Sequence, residues 1–266
     1  MMEKLRCTLH VYEDSIEIVR LLLGQGGADL EAMDNDVVSP LLINIESHVY
    51  DTDRRDLEVV RLMISLGADV EIGHLVSLTP LHLASGRGGT IELMELLLDQ
   101  GGSNLESRSG GDDTPLQYRL RALEARNEVG STPLHIACAE GEGNVVRFLL
   151  DRGASLEARD NNYNTPLNIA CSEGNNVEVV RLLLDRGADV EATNNMGWRS
   201  LHIAAVNNCT DIARVLLRRS TVVDATTLAK TTALSLACQM GHVEMVWMLV
   251  SQCPWLVDGH GQACVT

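Results

Sequence analysis

Thr132-Pro133-Leu134-His135-Ile136-Ala137 decides the fold, because the chain repeats this segment at a near-constant step. Its first four residues recur intact at 79–82, and in worn form as Thr165-Pro166-Leu167-Asn168 and Arg199-Ser200-Leu201-His202. From Thr132 the step is 33 residues to Thr165, 34 to Arg199 and 33 to Thr232, but from Thr114 to Thr132 it is 18. A period near 33 with this motif marks a stacked helical array, in which each unit buries its apolar face only against its neighbours. Function in such an array sits on an extended surface, which lowers the prior for an enclosed active site.

In residues 128–160, Thr132 stands where a helix needs an N-cap, its hydroxyl accepting from first-turn N–H groups. Pro133 follows where a missing N–H costs nothing. Leu134, Ile136, Ala137 and Cys138 are expected to point into the stack, and Glu140-Gly141-Glu142-Gly143 to end this inner helix. Asn144 then caps an expected outer helix over 145–151, whose Val146, Leu149 and Leu150 fall at helical spacing. Gly153 supplies a left-handed stop, and 155–160 reads as extended.

The repeated motif, the outer-helix run 178–184 (Glu-Val-Val-Arg-Leu-Leu-Leu) and Gly-Ala-Asp at 67–69 and 187–189 make the chain resemble an ankyrin-repeat protein over essentially its whole length. The resemblance implies an all-α ankyrin-repeat solenoid of helix-turn-helix units with β-hairpin-like loops. About seven full repeats and one shortened repeat are expected, near 2–34, 35–73, 75–108, 110–126, 128–160, 161–194, 195–226 and 228–258. The expected organisation is an N-terminal sub-array at 1–108, a shortened repeat and joint at 109–127, a C-terminal sub-array at 128–258 and a tail at 259–266.

Departures from the period single out three places. The second repeat carries about seven extra residues, read as a charged loop near 49–55. The repeat opened by Thr114-Pro115-Leu116-Gln117 lacks the end of its inner helix and its whole outer helix, which should expose the flanks of both neighbours at 91–98 and 145–150. At the other end Trp247, Met248 and Trp255 have no following repeat to bury them.

A net charge of −16 repels phosphate backbones and anionic membranes, so no nucleic acid and no membrane partner is expected. No apolar run reaches the length of a membrane span. No Gly-Lys-Ser/Thr phosphate loop, Gly-x-Ser-x-Gly elbow or CxxC pair occurs, so neither catalysis, nor a cofactor, nor a metal is expected. His82, His135 and His202 share one slot. Equivalent slots in adjacent repeats lie about 8–10 Å apart, too far for zinc ligands. Cys138, Cys171 and Cys238 share another slot, read as packing thiols. The compartment expected is the cytoplasm, with the nucleus as the alternative.

The resemblance implies a non-enzymatic scaffold or adaptor that binds a partner protein through hairpin tips and the exposed side of the inner helices. Carried over by position, the candidate contact residues are Asp112, Asp113, Glu140, Asn161, Asn164, Glu173, Met196, Trp198, Val206, Asn207, Gln239 and Met240. Trp198 is weighed equally as a binding anchor and as a stacking residue. A row of acids, Glu31, Glu71, Glu106, Glu124, Glu157, Glu191 and Asp224, runs along the hairpin edge. A partner with a basic segment is one reading of this row, and solvated turns inherited by duplication are the favoured one. A substrate-recruiting adaptor subunit and a decayed paralogue without a specific partner are the alternatives.

Overall fold

The motif forms a reciprocal capping box. Thr165 Oγ1 accepts from Asn168 N–H at 3.2 Å, while Asn168 Oδ1 accepts from Thr165 N–H at 3.1 Å. At Thr79, Thr132 and Arg199 a histidine three residues on takes the return role, its Nδ1 accepting the cap N–H at 3.2 Å. At Thr232 that role falls to Ser235. First-turn donors are thereby satisfied, and any side chain with an acceptor of the right reach serves the fourth position.

The computed structural model describes residues 30–31, 33, 38–50, 54–71, 78–86, 88–100, 115–174, 176–219 and 221–252. Its helices pair as α1 Pro40–Tyr50 with α2 Arg54–Ser65, α3 Pro80–Ser85 with α4 Ile91–Glu95, α6 Pro133–Glu140 with α7 Gly143–Asp151, and α8 Pro166–Ala170 with α9 Val177–Asp185. Then come α10 Ser200–Val206 with α11 Thr210–Leu217, and α12 Ala233–Met240 with α13 Val243–Gln252. A single helix, α5 Pro115–Leu123, stands outside this pairing. Among the described residues there is no strand, only an isolated bridge between Thr226 and Thr232. The chain divides into two compact units, one drawn from 1–136 with 148–154, the other from 137–147 with 155–266.

Outer helices end as their glycines require. Gly67, Gly153 and Gly187 sit at φ 96, 96 and 91°, and the next N–H (Ala68, Ala154, Ala188) returns to the carbonyl five residues back at 2.9–3.0 Å. Two local expectations are corrected. The outer helix of 128–160 begins at Gly143, because Val146 N–H already donates to Glu142 O, so Asn144 lies inside the first turn. Residues 155–160 open with a tight turn, Ala158 N–H to Ser155 O at 3.2 Å, repeated at Ala192 and Ala225.

In the first unit α1 packs on α2 and α3 around Leu41, Leu42, Ile45, Val59, Val60 and Met63. Both ends of the loop expected at 49–55 are helix, Val49 and Tyr50 finishing an eleven-residue α1 and Arg54 and Arg55 opening α2, while 51–53 lie outside the described residues. Gly88 is the complement of that longer helix. It sits at φ +86, and a Cβ there would overlap the carbonyl oxygen of Val49. A further irregularity follows α4, where Leu96–Gln100 is a π turn. In sequence Gly101-Gly102 stands where the repeats at 128–160 and 161–194 have a single glycine, Gly153 or Gly187, one residue more after a turn that is itself wider.

The flanks expected to lie bare beside the shortened repeat are buried: Leu93, Leu96, Leu97, Leu98, Val145, Val146 and Leu149. The reason is register. Arg152 donates to Asp99 at 3.1 Å across 53 residues, the same slot pairing that joins Arg219 to Asp185 across 34. His82 Nε2 donates to Ser131 O at 2.9 Å, and a Cβ on Gly86 would lie 3.9 Å from Ile136 Cγ2. The pair α3–α4 thus takes the repeat opened by Thr132 as its direct neighbour.

Helix α5 packs aside instead. Buried Tyr118 donates its hydroxyl to Leu97 O at 3.1 Å, and Arg119 reaches Asp99 at 3.4 Å. Arg121 forks onto Glu71 with two bonds of 2.8 Å. Leu116 occupies the motif slot in which Leu81, Leu134, Leu167, Leu201 and Leu234 are buried, yet it is 61% exposed. The copy of the motif at 114 therefore does not form an inner helix of the stack.

Candidate protein-binding surface

Five residues before each N-cap stands a side chain that fixes a hairpin tip. Asp160 Oδ1 accepts from Asn162 and Asn164 N–H, each at 2.8 Å, and Asn194 Oδ1 from Met196 and Trp198 N–H, each at 3.0 Å. Thr227 Oγ1 accepts from Thr231 N–H at 3.2 Å. In the first unit Asn127 does the same for Val129 and Ser131. The sequence reading missed these four; their spacing of 33, 34 and 33 residues was the available signal.

Consecutive tips in the second unit are tied by backbone. Asn195 N–H donates to Asn162 O at 3.0 Å and Leu228 N–H to Met196 O at 3.1 Å. Asn194 Nδ2 adds a bond to Asn164 Oδ1 at 3.0 Å, and Arg159 donates to the carbonyls of Tyr163 and Thr193. The tips hold out Tyr163, Met196 and Leu228, exposed to 61, 56 and 73%. Tyr163 and Lys230 occupy the left-handed region at φ 63 and 60°, where the neighbouring tip carries Gly197. A bulky side chain there is strained, and strain held by surrounding bonds is a pointer to function.

The acidic edge is engaged within the fold wherever its bonds are described. Glu157 Oε1 accepts Asp189 N–H at 2.8 Å and Glu191 Oε1 accepts Val222 N–H at 2.9 Å, while Glu191 also pairs with Arg199 at 2.8 Å. In the first unit Glu31 accepts Asp69 N–H at 2.9 Å and Glu71 holds Arg121. A carboxylate that bridges one turn to the next explains why the slot is acidic, independently of any basic partner.

The slot-sharing histidines are structural. His202 Nε2 donates to Ala225 O at 3.0 Å, as His82 does to Ser131 O. Burial pulls both imidazoles below their ordinary value of 6.5. Cys138, Cys171 and Cys209 are buried thiols whose pKa burial pushes up, which leaves them poor nucleophiles. Cys238 is exposed, so the packing role expected for its slot is corrected in α12. Among the described residues no cluster of three or more His, Cys, Asp or Glu could hold a metal ion. No described helix is long and apolar enough to cross a membrane.

Comparison with known proteins decides the family. A family model of ankyrin repeats, three copies long, matches at 49–160, 120–194, 157–227 and 187–258. The chain belongs to the ankyrin-repeat family. An ankyrin repeat protein of fowlpox virus is 31% identical over 113 residues, 38% of this chain and 60% of the viral one, so the match spans less than two thirds of that relative. Ankyrin repeats generally mediate protein–protein interaction, and the family is typically non-enzymatic.

On this ankyrin array the candidate residues fall into groups. Glu140, Asn161, Glu173, Met196, Asn207, Gln239 and Met240 are exposed, and Trp198, Val206 and Asn164 are half-buried. Several of them also hold the fold. Asn164 bonds Asp160 and Asn194, Asn207 Nδ2 donates to Ile203 O at 3.0 Å, and Val206 O accepts from His242 Nε2 at 3.0 Å. Asp112 and Asp113 lie outside the described residues. Tyr163 and Leu228 were missed, because the transferred positions follow the family's slots and both stand where this chain departs from its own pattern.

Proposed function

We propose that the chain is a non-catalytic cytoplasmic scaffold that holds a protein partner along its hairpin tips and the exposed ends of its inner helices. The observation that carries this reading is the row Tyr163, Met196 and Leu228, apolar and exposed on tips whose spacing is fixed by tip-to-tip backbone bonds. A preorganised row spares a partner the cost of ordering the loops, and aromatic and Met side chains are effective anchors. Exposed Glu140 at the end of α6, Glu173 in the turn after α8 and the net charge of −16 favour a cationic segment in that partner.

The test is quantitative capture with the full chain and with the triple variant Tyr163→Ala, Met196→Ala, Leu228→Ala. Loss of a partner by tenfold or more, with recovery that falls as salt rises, is expected. Equal recovery of every partner rejects the tip surface. Hydrolase or transferase turnover by the purified chain overturns the non-catalytic part.

A further inference from the structure

Slots repeat from one outer helix to the next, so a residue that breaks its column is conspicuous. One slot holds Arg147 in α7, Arg181 in α9 and Arg214 in α11, all exposed; in α13 it holds Trp247, 70% exposed. Arg181 and Arg214 stay exposed in helices that do have a following repeat. By the same slot pattern a further repeat would leave Trp247 uncovered. Val243 lies one turn earlier on the same side of α13 and is exposed too.

The exposed charges around Trp247 are ordered. Helix α11 and its C-cap present Asp211, Arg214 and Arg218 at i, i+3 and i+7, a single stripe. Helix α13, packed against α11, presents Glu244, Trp247 and Ser251 in the equivalent slots. Carboxylates stand at the N-terminal ends, guanidiniums further along, and the indole between them. The four charges cancel, on a chain that carries −16 overall.

We propose that this α11–α13 face joins two copies of the chain, paired antiparallel about a two-fold axis that runs between the two helices. In that pairing α11 of each copy lies along α13 of the other, so that Glu244 opposes Arg218 and the Trp247 indole meets the Arg214 guanidinium, twice over as a two-fold contact requires. Trp247 and Val243 supply the apolar centre from which water is excluded. A uniformly basic partner would meet the arginines and a uniformly acidic one the carboxylates, so the layout suits a second copy better than either. The acidic surface elsewhere opposes self-approach, and here the opposing signs remove that barrier. Two short helices bury less than the roughly 1,200–2,000 Å² of a standard interface, so the association is reversible and weak. This inference does not depend on what the hairpin tips bind.

Sedimentation equilibrium of the full chain, from about 1 µM to about 500 µM, tests it. A monomer–dimer equilibrium is expected within that range. Trp247→Arg restores the residue of the three earlier repeats, so Tm and helix content should hold while dimerisation weakens at least tenfold. Arg218→Glu should weaken it similarly, and adding Glu244→Arg, which exchanges the signs of that pair, should recover it. A native chain that stays monomeric throughout, or a dimer that Trp247→Arg leaves intact, overturns the proposal.

Discussion

The layers between 161 and 240 and the step between 78 and 136 are written with the same motif and use it differently. In the first, each copy supplies an inner helix: Leu167, Leu201 and Leu234 are buried, and His202 ties its layer to the next at Ala225 O. In the second, two copies follow one another within 18 residues, and only the one at Thr132 enters the stack. His82 finds its acceptor in Ser131 O, and Asp99 its cation in Arg152. A motif is thus a capacity to cap and pack, and the residues C-terminal to it decide whether that capacity is used. Thr132 is followed by an outer helix that completes the layer; Thr114 is not, and its helix turns Tyr118 and Leu123 inward in place of Leu116.

The sharpest way to break this comparison is to truncate the same slot in both regions. Leu167→Ala should cost about 2–5 kcal/mol, and Leu116→Ala no more than about 0.5 kcal/mol, read by urea unfolding. Similar losses at both sites would place the two motif copies in equivalent layers. A smaller effect is expected from Tyr118→Phe, which leaves Leu97 O without its hydroxyl donor: about 1–3 kcal/mol, with exchange protection lost first around α5 and the π turn. Such local opening is the form that the proposed joint at 109–127 would take.

The pH dependence separates the regions by slot chemistry. Buried His82 and His202 are neutral when folded and hold fewer protons than the unfolded chain near and below 6.5. Their contribution to stability is therefore complete above that pH and is lost as pH falls further. Asn168 performs the same capping without titrating. His82→Asn with His202→Asn should flatten the fall in Tm between about pH 7 and about pH 5, and an unchanged slope would assign that fall to other groups.

Much of this was legible in the sequence, because a repeat turns a single ambiguous residue into a column. The histidine and terminal-glycine columns each carried one physical role from layer to layer, whereas the cysteine column packed at Cys138 and Cys171 but not at exposed Cys238. Columns also mislead when their cause lies elsewhere in space. The acids at Glu157 and Glu191 looked like a row for a basic partner, yet each accepts a backbone N–H from the following turn. No local pattern could show that, since donor and acceptor lie 32 and 31 residues apart. The inserted residues were countable but not placeable. Those of the second repeat lengthened both α1 and α2, one in the third accompanies a π turn, and the surplus around 114–123 became a side-packed helix. Of the candidate surface, family slots gave Met196 and the exposed inner-helix ends but passed over Tyr163 and Leu228.

The central claim is that the repeat at 78–100 and the repeat opened by Thr132 are direct neighbours. Cysteines placed at Glu95 and Arg152, in a chain whose exposed native cysteines are replaced, test it with a bismaleimide spanning about 8–10 Å, one helix-packing distance. Rapid intramolecular cross-linking at low protein concentration is predicted. If α5 formed a layer of its own, the two positions would stand roughly 16–20 Å apart. Absence of the cross-link in folded protein would then contradict the account.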